Sequence, residues 1–230
     1  MALELGTVES VTFDSFTTIV DVHRSTRRAL AKHVDDPDPV ATLWRFRAVD
    51  YRMLVNFCGD YGTYEETTRD ALEYALAANG VELSADEIDD IVGVFYELDV
   101  FDDVRPGMAA IDEAGYDLYI ASNGNERLLE AMIDRAEIDE LIVDSISANE
   151  VQVYKPDIEF YRHVAERVGT EPSSIAHVAT PWYDVYGAMH AEMDGVWVNR
   201  EGVPWDEYDG EPDLIVDGFD ELASAFTETR

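Results

Sequence analysis

Short apolar runs alternate with helical patterns along this chain, and the alternation breaks once, near the beginning, where residues 22–102 read as helix after helix. The expected strands cover residues 8–13, 117–122, 141–143, 175–179, 196–198 and 214–216. Strands alternating with helices imply a parallel sheet covered on both faces. Within the interruption, one helical stripe carries Val40, Leu43, Trp44, Arg47, Tyr51 and Val55, and the next carries Thr68, Ala71, Leu72, Ala75 and Leu76. A third opens on the capping box Ser84-Ala85-Asp86-Glu87 and continues through Ile88, Ile91, Val92, Phe95 and Leu98. The fold class is therefore α/β: a Rossmann-like parallel sheet core, residues 1–21 and 103–230, with an inserted helical cap, residues 22–102. Residues 200–213, rich in glycine, proline and acids, form the one long irregular stretch.

In an open parallel sheet, the ligand crevice lies beyond the carboxyl ends of the strands. Asp14 follows the first expected strand, Ser122 and Asn123 end the second, Lys155 precedes a helix after the third, and Asp184 follows the fourth. Taken singly, each has a plainer reading. An aspartate after a strand is usually a turn or cap residue, Ser122-Asn123-Gly124 is turn chemistry, and Lys155 fits a surface position with Pro156 opening a helix. Two facts favour a site. The four positions share one end of the sheet, and only two of the 16 basic side chains are lysines. A chain that otherwise uses arginine has kept a compact ammonium at 155, where a planar guanidinium would not substitute in a crowded site.

Charge excludes several function classes. The formal net charge is −34, with acids spread along the chain rather than gathered in a tail. Such a surface repels itself at low ionic strength, whereas molar salt shortens the Debye length to roughly 3 Å. A salt-rich cytoplasm is the expected location. Nucleic acid and anionic membrane are excluded as partners, since both would meet a negative face. The opening residues 1–5 carry no basic region, and no stretch has the ~20 apolar residues of a spanning helix. Cys58 permits no internal disulfide and reads as a small core or semi-buried residue. No Cys/His cluster suggests a metal. His23, His33, His163, His177 and His190 are scattered, with no spacing that marks a catalytic pair.

The segments Val11-Thr12-Phe13-Asp14-Ser15-Phe16-Thr17-Thr18, Ser122-Asn123-Gly124 and Val151-Gln152-Val153-Tyr154-Lys155-Pro156-Asp157 resemble motifs of the haloacid dehalogenase superfamily, in its L-2-haloacid dehalogenase branch. Leu43-Trp44-Arg45, Asp21-Val22-His23 and Asn199-Arg200 extend the resemblance over nearly the whole chain. The resemblance implies hydrolytic dehalogenation of short 2-haloalkanoic acids through an aspartyl ester, with no cofactor and no metal. It implies that Asp14 is the nucleophile, Thr18 supports it, and Lys155 pairs with the carboxylates. Arg45 and Asn123 would hold the departing halide, Ser122 the substrate carboxylate, with Ser15 and Phe16 beside the substrate and Tyr161 and Asp184 completing the site. The residues themselves support that chemistry. A carboxylate that displaces halide turns one difficult hydrolysis into two easier steps, a lysine keeps it ionised, and a second carboxylate activates water.

Trp44, Tyr51, Phe57, Tyr61 and Tyr64 read as cap core, or as contacts in a cap-mediated homodimer, with Tyr64 the best pocket candidate by resemblance. Of Trp182 and Tyr183, one is expected over the substrate and the other outward. Thr17, Ala179 and Pro181 depart from the branch's usual glycine, serine and asparagine. A β-branched Thr17 tolerates positive φ poorly, and Ala179 and Pro181 bring no side-chain hydrogen bond to Asp184, leaving Thr180 as the candidate substitute. Two alternatives stand beside the dehalogenase: a magnesium-dependent phosphatase of the same superfamily, and a catalytically degenerate binder of small acids. The phosphatase usually needs acids where Phe16 and Thr180 stand.

Overall fold

The computed structural model describes residues 7–205 and 210–228. The opening residues 1–5 and part of the long loop read from the sequence lie outside them.

The chain enters through β1 (Ser10–Phe13), turns into the two-residue β2 (Val20–Asp21), and leaves the sheet for α1 (Val22–Leu30), α2 (Pro37–Cys58), α3 (Tyr64–Ala78) and α4 (Ala85–Val92). A 3-10 turn (Gly93–Tyr96) leads to β3 (Asp99–Val100), which pairs antiparallel with β2 and closes the base of this excursion. There follow α5 (Val104–Glu113), β4 (Asp117–Ser122), α6 (Glu126–Ala136), β5 (Ile142–Ser147), α7 (Ile158–Val168), β6 (Ile175–Ala179), α8 (Trp182–His190), β7 (Asp194–Val198), β8 (Leu214–Val216) and α9 (Phe219–Thr227). The main sheet has the order β5-β4-β1-β6-β7-β8, parallel throughout. α5, α6 and α8 lead into strands that pair in parallel with the preceding strand of the main sheet, whereas α7 carries the chain from β5 past β4 and β1 to β6. Every residue of β1 and β6 is buried, the polar Ser10, Thr12 and His177 included, as befits central strands of a parallel sheet covered on both faces.

Three expected strands, 117–122, 175–179 and 214–216, match the structure at both ends. β1 begins two residues later than expected. β5 is displaced: Leu141 belongs to a 3-10 turn and the strand continues to Ser147. That strand lies at the sheet edge and carries Asp144, Ser145 and Ser147, so its apolar signal ends before its pairing does. α1 was not anticipated, because its inward face is made by Ser25, Thr26 and Ala29 beside Leu30. Small polar residues give no apolar stripe.

The capping box at Ser84 forms, and a second one joins Thr63 to Glu66 at the start of α3. Pro156 does not open a helix. Asp157 is the N-cap, its side chain accepting the Glu159 N–H, so α7 starts beyond the lysine. Cys58 is exposed as the last residue of α2, contrary to the reading of it as core or semi-buried. α2 is fastened to the core one residue before Lys155: Asn56 accepts the Tyr154 N–H at 2.9 Å and donates to the Tyr154 carbonyl at 2.6 Å.

Candidate active site

Asp14 leaves β1 still bonded to the sheet, its N–H donating to the Val178 carbonyl at 2.9 Å. Its carboxylate is therefore held at the strand end by backbone. Thr18 Oγ1 donates to Asp14 Oδ2 at 2.7 Å and accepts the Thr180 N–H at 2.9 Å, so the hydroxyl is oriented from behind. Lys155 Nζ donates to Asp14 Oδ1 at 2.8 Å and to Asp184 Oδ2 at 2.6 Å. On the other oxygen of Asp184, Tyr161 Oη donates at 2.8 Å and His177 Nε2 lies at 3.0 Å. His177 Nδ1 meets Thr12 Oγ1 at 2.8 Å. Since the carboxylate only accepts, Nε2 carries the proton toward it. The network is sealed from solvent: Asp14 is 5% exposed, Lys155 2%, Asp184 1% and His177 0%.

Burial alone would push both carboxylates up. For Asp14 it prevails over the Lys155 charge, with the Asp184 charge adding to it, and the group titrates above the ordinary carboxylate value. For Asp184 burial is outweighed, because Lys155 and His177 both stabilise its anion, and it lies well below that value. Burial would lower Lys155, but the Asp14 and Asp184 charges overcome it and hold the ammonium above its usual value. Tyr161 is raised well above its ordinary value by burial and by Asp184, so it stays protonated as a donor. The arrangement is one cation between two acids, of which Asp184 is firmly ionised. A carboxylate so held at a strand end has the chemistry of a nucleophile, and a firmly ionised neighbour such as Asp184 that of a group that orients water.

The turn after Asp14 carries strain. Thr17 has φ of 73°, a conformation β-branched residues rarely adopt, and its hydroxyl is buried with no partner among the described residues. Ser15 Oγ and Ser122 Oγ are 2.5 Å apart, and Ser122 Oγ also accepts the Gly124 N–H at 3.0 Å. Asn123 Oδ1 accepts the Lys155 N–H at 2.9 Å, linking the second and third strand ends. Glycine at 124 is required by close approach, since a Cβ there would lie 2.9 Å from the Phe16 ring. Phe16 stacks on Tyr64 of α3 with centroids 4.6 Å apart, so the cap closes directly on the nucleophile turn.

Asp14, Thr18, Lys155, Asp184, Tyr161, Ser15, Ser122, Asn123 and Phe16 thus converge. Arg45 does not join them: it points out from α2 and is exposed, one residue around the helix from the buried Trp44. The cap arginine that goes inward is Arg52, 8% exposed, with its guanidinium carbon 3.7 Å from the Tyr64 ring centroid. It lies two helical turns beyond Arg45 on the stripe that begins at Trp44, and the Trp44–Arg45 match drew attention away from it. Phe57, read as cap core or dimer contact, is 89% exposed and so is not core. Trp182 faces outward and Tyr183 is half-buried.

Thr180 does not bridge to Asp184 either, for its hydroxyl is buried and unpartnered among the described residues. That place is taken by His177, a residue the sequence reading set aside. The available signal was a polar ring inside the apolar run Ile175-Ala176-His177-Val178-Ala179, one strand end before Asp184.

A strand-end aspartate paired with a buried lysine and a second aspartate, beneath helices inserted after the first strand, defines a hydrolase-type nucleophile site. The model of the haloacid dehalogenase-like hydrolases matches residues 8–179, and the chain belongs to that family. It is similar to (S)-2-haloacid dehalogenase 4A of Burkholderia cepacia, 27% identical over 208 residues, 90% of each chain. It is also similar to (S)-2-haloacid dehalogenase 1 of Pseudomonas sp. (strain CBS-3), 28% identical over 86% of this chain and 87% of that one. Among solved structures, the L-2-haloacid dehalogenase RSc1362 superposes with a TM-score of 0.91 at 26% identity, covering 96% of this chain and 99% of the other.

Proposed function

We propose that this chain hydrolyses the carbon–halogen bond of short 2-haloalkanoic acids through an ester on Asp14. The observation that carries the reading is the Lys155 ammonium bridging Asp14 and Asp184 at 2.8 and 2.6 Å in a site closed to solvent. An Asp14 oxygen attacks the α-carbon, the carbon–oxygen bond forms as the carbon–halogen bond breaks, and halide leaves with the bonding electrons. Water oriented by Asp184 then adds to the Asp14 carboxyl carbon. The acyl–oxygen bond breaks, the 2-hydroxy acid departs with one proton of that water, the other passes out through Asp184, and Asp14 is an anion again. His177 and Tyr161 hold Asp184 for this second step in place of the missing side chains at 179 and 181.

Ser15 and Ser122 form the polar wall for the substrate carboxylate, Phe16 and Tyr64 form the apolar wall, and Asn123 keeps the halide role that the resemblance gives it. Arg45 is assigned the halide only by resemblance. Residues 22–102 serve as the cap that admits and covers the substrate on the core of 1–21 and 103–230. A homodimer across α2 is supported by Phe46, Leu54 and Phe57, which are 67%, 56% and 89% exposed on that helix. The spread of acids supports a salt-rich cytoplasm as the setting. Among the described residues no helix is long and apolar enough to cross a membrane. The phosphatase reading is not favoured, because a buried aromatic, Phe16, stands two positions after the nucleophile.

Bromide release from the two enantiomers of 2-bromopropionate, with EDTA present, tests the proposal. The (S) enantiomer should be consumed and EDTA should make no difference. Loss of activity in EDTA with recovery on adding magnesium, or turnover of a phosphate monoester alone, would replace it with the phosphatase.

A further inference from the structure

Among the described residues two side-chain cations, Lys155 and Arg52, are buried to nine-tenths or more, and their surroundings differ. Lys155 has two carboxylates. Arg52, 8% exposed, has no carboxylate partner among the described residues. Its Nη2 donates to Thr68 Oγ1 at 2.5 Å, its face lies over Tyr64 at 3.7 Å, and its Nε–H is buried without any partner among the described residues. Removing a guanidinium from water and leaving a donor unmet is costly unless an anion completes the site. The chain has 50 acidic residues with which to supply one. Of the other cap arginines, 24, 27, 28, 47 and 69 each pair with an acid, and Arg45 is exposed. Arg52 is the one that faces the nucleophile turn across Tyr64, whose ring also stacks on Phe16, two residues from Asp14.

Two phenols lie within reach of both charges. Burial pushes Tyr64 up to about 12, with Arg52 opposing and Asp14 adding to the shift. Burial raises Tyr183 too, with Asp14 and Asp184 adding to the rise and Arg52 again opposing it.

We infer that Arg52 is an anion-binding residue of the active site: its unpartnered Nε–H and its charge take a small monovalent anion carried by the substrate, the departing halide or the carboxylate. This inference rests on the dehalogenase reading for the identity of the anion, though not for the existence of the site. Arg45, one of the residues expected from resemblance to hold the halide, is exposed and has no such surroundings. Electrostatic help to a leaving anion is largest from a donor already desolvated and fixed, which describes Arg52.

The experiment uses the whole folded chain without turnover. The arginine Nε–H resonances are followed by NMR while sodium chloride, sodium bromide or sodium acetate is added at constant ionic strength. The Arg52 resonance should shift and saturate, and that of Arg45 should not. Saturation by chloride and bromide assigns the halide end, and saturation by acetate alone assigns the carboxylate end. Arg52→Met should weaken the same anion about ten-fold or more, the loss expected for one charge-assisted hydrogen bond, while Arg69→Met, at a surface arginine paired with Glu73 and Asp89, leaves it unchanged. Arg52→Gln serves if the methionine variant does not fold, and the wild-type resonance decides the matter if neither does. An Arg52 resonance that none of the three anions moves, or a shift at Arg45 instead, overturns the inference. Bromide release with an unmoved Arg52 would sink this site and leave the dehalogenase standing; a shifting Arg52 without any halide release would do the reverse.

Discussion

On the floor of the site every charged atom is answered: Lys155 lies between Asp14 and Asp184, and Tyr161 and His177 complete the second carboxylate. In the cap, Arg52 is buried nearly as deeply with a hydroxyl, an aromatic face and no carboxylate among the described residues. The difference separates two tasks. A closed network fixes the positions of groups that make and break bonds, since each rotamer is set by its partners. An open valence on the opposite wall is left for something that arrives and departs. Under the proposed mechanism, the first arrangement is the hydrolytic machinery and the second the part of the site that substrate completes.

The contrast breaks first at the nucleophile. Asp14→Asn removes the attacking oxygen at nearly constant volume, and halide release should fall by about 10⁴-fold or more. Circular dichroism should show the fold unchanged. Normal turnover in the variant would remove Asp14 from the mechanism.

Next comes the second step. His177→Phe deletes one donor to Asp184 and leaves Lys155 and Tyr161 in place. Ester hydrolysis should slow by roughly 10- to 100-fold, while the first equivalent of halide appears at the wild-type rate. His177→Gln, which can still donate to Asp184, should recover part of the loss. Equal slowing of both phases would mean that the substitution acts on the fold and not on the water-orienting acid.

The two carboxylates also separate by pH. Asp14 is raised, so its proton is favoured by folding, and the nucleophile is lost as pH falls through that raised value. Asp184 is depressed, so its stabilising contribution is present above its unfolded value and is lost only as pH falls through the lower folded one. The acid limb of kcat/KM should therefore lie above the ordinary aspartate range, and acid unfolding should begin below it. Coincident limbs would show that the pair titrates as one unit.

The smallest effect concerns the surface. With a net charge of −34, the melting temperature should rise as potassium chloride goes from about 0.1 M to 2 M, because screening relieves repulsion among surplus acids. A fall would contradict the salt-rich setting.

What the sequence made legible follows the same division. Strand ends are marked by apolar runs that stop, so the sequence alone puts Asp14, Ser122 and Asp184 at one rim. Lys155 stood out because lysine is rare here. A helix gives no such punctuation. Arg45 and Arg52 both lie on α2, and whether an arginine enters a cleft depends on the packing of α2 on α3, a tertiary fact. His177 was missed for a related reason: its two partners, Thr12 and Asp184, are 165 and seven residues away, and only the pairing of β1 with β6 brings the first of them alongside. Thr17 was legible as a conflict between residue and turn. The structure keeps the turn at φ 73° rather than reshaping it, so the backbone path beside the nucleophile outweighs the local preference.

The central claim is a covalent ester on Asp14 that Asp184, held by His177 and Tyr161, then hydrolyses. It is tested most directly by mass spectrometry of the intact His177→Phe chain, quenched during turnover of (S)-2-bromopropionate at high salt. The account predicts one 1-carboxyethyl ester per chain, located by digestion on the peptide that contains Asp14, with a matching burst of bromide. A folded chain that releases bromide steadily with no adduct, or that carries its adduct on another residue, would contradict it.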